Sequence, residues 1–99
     1  MSRKKVTVVA TFKAKAGMED ILKNACLALI DPTRAEPGCI TYDFHQSCDD
    51  QSHFMFYENW MSKEELNKHL EMPPLKEFLG KVPELVAEPG LLTFWEMLT

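Results

Sequence analysis

The chain has 99 residues and a mass of 11.4 kDa; 45% of the residues are hydrophobic and 26% charged, with a net charge of -4 and a pI near 5.3. A length on the order of 100 residues makes one domain, so residues 1–99 are read as a single folding unit, and this composition excludes wholesale disorder. The acidic balance excludes a broad basic face for nucleic acid, since the one basic cluster, Arg3-Lys4-Lys5, reads as a solvated strand start with no apolar segment after it to make a targeting signal.

No stretch approaches the ~18 apolar residues of a membrane helix. Cys26, Cys39 and Cys48 are odd in number and form no C-x-x-C pair, which argues against a disulfide framework and a zinc site. Cys26 and Cys39 read as small core residues and Cys48 as a thiol near a turn. The expected address is the cytosol, with no membrane and no nucleic-acid partner.

The first strand is expected over about Lys5 to Lys13, rich in Val and Thr, and broken by Gly17. A helix follows from about Met18 to Asp31, with Leu22, Cys26 and Leu29 at helical spacing and Glu19 and Asp20 in the first turn. Asp31-Pro32 ends or restarts it. Glu36-Pro37-Gly38 is a tight turn into a second strand, about Cys39 to Ser47. Residues 49–52 form a hairpin turn into a third strand, about His53 to Trp60. Ser62-Lys63-Glu64-Glu65 matches a capping box, flanked by Met61 and Leu66 as a hydrophobic staple. The helix it opens carries Leu66, His69 and Leu70 on one face. Pro73-Pro74 stops it and starts another helix, with the apolar stripe Leu75, Phe78, Leu79, Val82. Pro89-Gly90 turns the chain into a last strand, Leu91 to Leu98.

This order, β-α-β-β-α-α-β, predicts an α+β, ferredoxin-like β-α-β-β-α-β fold: a four-stranded antiparallel sheet with the helices on one face. The other face of such a sheet is normally polar. Here Phe54 and Phe56 oppose Met55 and Tyr57, and Leu92, Phe94 and Leu98 oppose Leu91, Trp95 and Met97, so both faces are apolar. The helices cover one face. A second copy of the chain is expected to cover the other, as a homodimer.

No glycine-rich phosphate loop, G-x-S-x-G, H-E-x-x-H or dinucleotide fingerprint is present, so no metal and no organic cofactor is expected. The informative residues are polar groups inside apolar segments. His69 borders the buried stripe of its helix, either as a satisfied structural residue or as a general base at a helix–sheet cavity. Glu58 shares a strand face with Phe54, Phe56 and Trp60, where a carboxylate is costly unless paired. It is either half of an ion pair with Arg34 or a lysine, or a functional acid. His45 lies with Asp43 on what reads as an exposed strand face. The aromatics fit either a plain core or a pocket for a flat apolar ligand.

The ordered set Glu36-Pro37-Gly38-Cys39, Tyr42, Phe54-x-x-Tyr57-Glu58-x-Trp60, Ser62 and His69-Leu70 resembles the antibiotic biosynthesis monooxygenase family, in its small quinol monooxygenase branch of the dimeric α+β barrel superfamily. The resemblance covers nearly the whole chain. It implies a homodimer in which each subunit keeps a cavity between sheet and helices. It also implies oxidation of a phenolic or quinol-type aromatic substrate by molecular oxygen without a cofactor. On this resemblance His69 is the base or donor and Glu58 orients a polar group, the two catalytic candidates. Tyr42, Phe54, Trp60 and Phe78 line the substrate pocket. Two departures are visible. Pro74 stands where relatives often carry a second histidine. Ala10, His69 and Leu79 stand where haem-degrading relatives carry an asparagine, a tryptophan and a histidine. Two other readings stand beside it: a small-molecule isomerase of the autoinducer-processing type, which needs a phosphate grip, and a non-catalytic ligand-binding module.

Overall fold

The computed structural model describes residues 5–99. Arg3 and Lys4 of the basic cluster lie outside the described residues, and Lys5 is exposed ahead of the first strand. The elements are β1 (Val6–Lys13), α1 (Glu19–Leu27), α2 (Ile30–Arg34), β2 (Cys39–Gln46), β3 (His53–Trp60), α3 (Lys63–Leu70), α4 (Pro73–Leu85) and β4 (Leu91–Glu96). The strands form one antiparallel sheet in the order β2-β3-β1-β4, the ferredoxin-like arrangement expected from the sequence.

Cross-strand register explains how the sheet carries both a core and a cavity. Tyr42, Glu58, Val8 and Phe94 lie side by side across the four strands, and Phe44, Phe56, Ala10 and Leu92 form the next row. Alternation puts both rows on the face that the helices cover. There Tyr42, Val8, Phe56 and Ala10 join Phe12, Phe54 and Trp60 in one core with Leu22, Cys26 and Leu29, Leu66 of α3, and Leu75, Phe78 and Val82 of α4. Val8 and Ala10 are the small members of their rows. They leave room in the middle of the sheet that flanking aromatics would fill.

The local signals mostly act as their chemistry dictates. Gly17 takes φ +88°, a left-handed conformation that suits glycine, and ends the first strand segment. The Ser62 hydroxyl accepts the Glu65 N–H at 3.3 Å, which caps α3. Pro73 and Pro74 occupy the first turn of α4, where a missing N–H costs nothing.

Two expectations are corrected. The first helix does not run unbroken to Asp31. It ends at Leu27, and α2 restarts at Ile30 with no side-chain cap, so Asp31 is not its N-cap. Pro32 then falls in the first turn of α2, where it needs no donor. The capping box closes on one side only, because the Glu65 carboxylate faces Lys68 at 3.5 Å. Met61 is 47% exposed, whereas Leu66 is buried.

Gly38 matters for the site. A Cβ there would lie 2.2 Å from the Cβ of Glu65, so the turn before β2 packs against the first turn of α3 at backbone distance.

Candidate functional site

A narrow cleft with a cavity volume of about 30 Å³ opens between the sheet and the helices above Val8 and Ala10. The floor is sheet; α3 and α4 form the roof with Leu66, His69, Leu75 and Phe78; Phe94 and Leu79, both partly exposed, stand at the rim. Among the described residues, three of the lining side chains are polar, Tyr42, Glu58 and His69, and none is a lysine or arginine.

His69 comes to the cleft because α3 buries Leu66 and His69 three residues apart on one stripe. It is 2% exposed rather than at the border of the stripe. Its imidazole stacks on Trp60, with ring centroids 4.5 Å apart and planes 29° apart, and meets Tyr42 edge-on at 5.6 Å. Its Nδ1 lies 3.0 Å from Oε2 of Glu36.

Glu58 is 5% exposed and accepts a hydrogen bond from Trp60 Nε1–H at 3.0 Å. Arg34 is not its partner. That guanidinium donates to the Tyr42 carbonyl and to Asp43, each at 3.1 Å, on the solvent side. Burial pushes the Glu58 carboxyl up to about 7, and the nearby Glu36 charge adds to this; the Trp60 bond opposes it. The group is therefore poised to give or take a proton near neutral pH. Tyr42 is held as a neutral hydroxyl, pushed far up by burial and by Glu58 and partly relieved by a hydrogen bond with Thr33.

Glu58 also has a measurable cost. Its folded pKa lies above the ordinary value of 4.5, so the folded chain binds the proton more tightly. The stability this confers is full at low pH and is lost as pH rises from about 4.5 to about 7. The loss is on the order of 3 kcal/mol. Glu58→Gln keeps an acceptor for Trp60 and removes the charge. We expect the variant to gain roughly 1–3 kcal/mol over wild type at pH 8 and nothing at pH 4, as read by urea denaturation at both pH values.

The sequence-predicted residues thus divide. Tyr42, Glu58, His69 and Phe78 share the cleft wall. Phe54 and Trp60 are buried in the core and do not line the cleft; Trp60 stands behind His69 and Glu58 and touches both. His45 and Asp43 are on the exposed outer face. Sequence reasoning on polar groups missed Glu36 as a site residue, reading it only within a turn and the family motif, and it missed the lining residues Phe94 and Leu92. A carboxylate directly before Pro-Gly and near an apolar strand start was the available signal for Glu36. Cys26 and Cys39 are pushed up to about 12 and about 11 by burial, so both are thiols rather than nucleophilic thiolates. Among the described residues, no three His, Cys, Asp or Glu side chains are grouped to hold a metal ion, and no helix is long and apolar enough to cross a membrane.

Residues 5–81 match the model of a family described as antibiotic biosynthesis monooxygenase. "Putative monooxygenase Rv0793" of Mycobacterium tuberculosis is 32% identical over 88 residues, covering 89% of this chain and 86% of that protein. Its solved structure superposes with a TM-score of 0.92 over 96% of each chain at 30% identity. The structure of PA3566 from Pseudomonas aeruginosa superposes with a TM-score of 0.92 at 27% identity, over 100% of this chain and 99% of that one. "Uncharacterized protein sll1783" of Synechocystis is 29% identical over 92 residues; the match takes 93% of this chain but spans only 63% of that longer protein.

Proposed function

Because this chain belongs to the antibiotic biosynthesis monooxygenase family, we propose that it oxidises a phenolic or quinol-type aromatic compound with molecular oxygen, without a metal or organic cofactor. The observation that carries this reading is the cleft itself: flat apolar walls from Phe12, Phe56, Phe78 and Phe94, with proton-transfer groups as the polar lining. Such a wall binds a planar aromatic and excludes water.

The substrate supplies the electrons. His69 takes the phenolic proton. The electron-rich anion passes one electron to oxygen, and the resulting pair joins through a new carbon–oxygen bond; the peroxide anion takes the proton back from His69 to become a hydroperoxide. The O–O bond then breaks as the carbon loses its hydrogen, giving a quinone carbonyl and water. One oxygen atom ends in the product and one in water, and the four electrons come from the organic substrate. Glu58, whose carboxyl is pushed up to about 7, delivers the proton to the departing oxygen in its neutral form. Among the described residues the cleft lining has no lysine or arginine, which disfavours the phosphate grip that an isomerase of phosphorylated substrates requires.

Oxygen uptake with a panel of naphthols and hydroquinones, in the presence of a chelator, tests the reading. We expect one oxygen consumed per substrate oxidised, at a rate the chelator leaves unchanged. Saturable binding of the panel with no oxygen uptake would make the protein a ligand-binding module instead.

The active unit is a homodimer in this proposal. The sheet face away from the helices carries Tyr57, Leu91 and Trp95 at 39%, 60% and 58% exposure, an apolar surface that water disfavours and a second copy would cover. Sedimentation equilibrium at micromolar concentration is expected to give about twice the chain mass of 11.4 kDa. A stable monomer would overturn this arrangement. The three free thiols, Cys26, Cys39 and Cys48, suit a reducing cytosol.

A further inference from the structure

We infer, on the reading that His69 is the proton acceptor in the proposed oxidation, that Glu36 is its positioning residue: the carboxylate holds the imidazole in the tautomer whose unprotonated Nε2 is left for the cleft. Glu36 lies 33 positions before His69 in the chain, yet its Oε2 is 3.0 Å from Nδ1, and its side chain is only 12% exposed. An ionised carboxylate only accepts, so the shared proton must sit on Nδ1. A neutral ring then has a bare Nε2, the form that can take a phenolic proton. The reverse tautomer would set a lone pair against a carboxylate in a water-poor site.

The turn bearing Glu36 is built to hold that geometry. Glu36 N–H donates to the Thr33 carbonyl at 3.0 Å, Cys39 N–H donates to the Glu36 carbonyl at 3.1 Å, and Met61 N–H donates to the Gly38 carbonyl at 2.9 Å. Gly38 then presses on Glu65 in the first turn of α3 with no room for a Cβ. These contacts fix Glu36 relative to the helix that carries His69. On its other sides the ring is set by the Trp60 face and the Tyr42 edge. Once His69 has taken a proton, the Glu36 charge stabilises the imidazolium without itself taking the proton.

The test begins with the free protein. In the ¹⁵N-labelled full chain near pH 7.5, NMR of the imidazole nitrogens is expected to show His69 with the proton on Nδ1 and a bare Nε2. The Glu36→Gln amide has lost the charge that makes this side chain an acceptor only, so in that variant the Nε2–H tautomer gains population. With naphthohydroquinone as probe, kcat for oxygen uptake then falls about 10²- to 10⁴-fold while KM changes little. A wild-type His69 protonated on Nε2, or on both nitrogens as in a plain salt bridge, overturns the inference. If Glu36→Gln does not fold, the wild-type spectrum alone decides. The predicted tautomers in a wild-type protein that oxidises no phenol would support the pairing and overturn the oxidation reading.

Discussion

His69→Ala is expected to lower oxygen consumption with an oxidisable phenol by about 10²- to 10⁴-fold, the usual worth of a positioned general base. The same change has a structural cost. It removes a ring packed between Trp60 and Tyr42 and leaves the Glu36 carboxylate without its partner. Losing such a partner costs about 1–3 kcal/mol, and each kcal/mol lowers the melting temperature of a chain this size by about 4–8 °C. The two effects separate when the rate is measured well below the new melting temperature. A large loss of rate in folded protein assigns the base. Full activity with a lowered melting temperature removes His69 from the mechanism and leaves Glu58 as the proton acceptor.

Trp60→Ala should give the largest loss of stability of any single change near the cleft. The side chain is fully buried, supports one face of His69 and donates to Glu58. Truncating a buried tryptophan costs about 3–5 kcal/mol, against a total of about 5–15 kcal/mol for a domain. Urea denaturation should show the midpoint falling steeply, with part of the population unfolded at 37 °C. Trp60→Phe separates packing from hydrogen bonding. It keeps most of the apolar volume and deletes the Nε1–H. The bond to Trp60 holds the Glu58 carboxyl down, so its loss moves that carboxyl above about 7. Any limb of the pH–rate profile that reports Glu58 then shifts upward. An unchanged profile in a stably folded Trp60→Phe would show that Glu58 is not one of the titrating groups in the rate.

The tandem of Ser62 and Pro73-Pro74 shows what the sequence determined by itself. Capping and proline constraints act within a turn or two, so these residues set the bounds of α3 and α4 whatever surrounds them. Alternation along β3 did the same for faces: Phe54, Phe56, Glu58 and Trp60 had to share one side of the sheet once the segment was a strand. The element order then limited the topology to the arrangement observed, because crossovers are right-handed and connections short. The ordered motif set carried the family. The break in the first helix was less legible, since Asp31-Pro32 suits either an N-cap pair or a first helical turn. Tertiary packing chose the second and moved the restart to Ile30.

The site's polar pairings were decided only by the tertiary structure. Glu58 could have met Arg34 or the Trp60 indole, and only the strand geometry, with Arg34 drawn to Asp43 on the solvent side, chose Trp60. Trp60 itself reads like a pocket residue, yet α3 covers it with His69. The Glu36–His69 pair spans 33 positions and depends on a turn packed against a helix at a glycine. Periodicity and capping act over one or two turns of chain and assign each residue to a face. Which residue it meets there depends on how the covering helices and loops close over the sheet, and that closure is set by contacts far apart in the sequence.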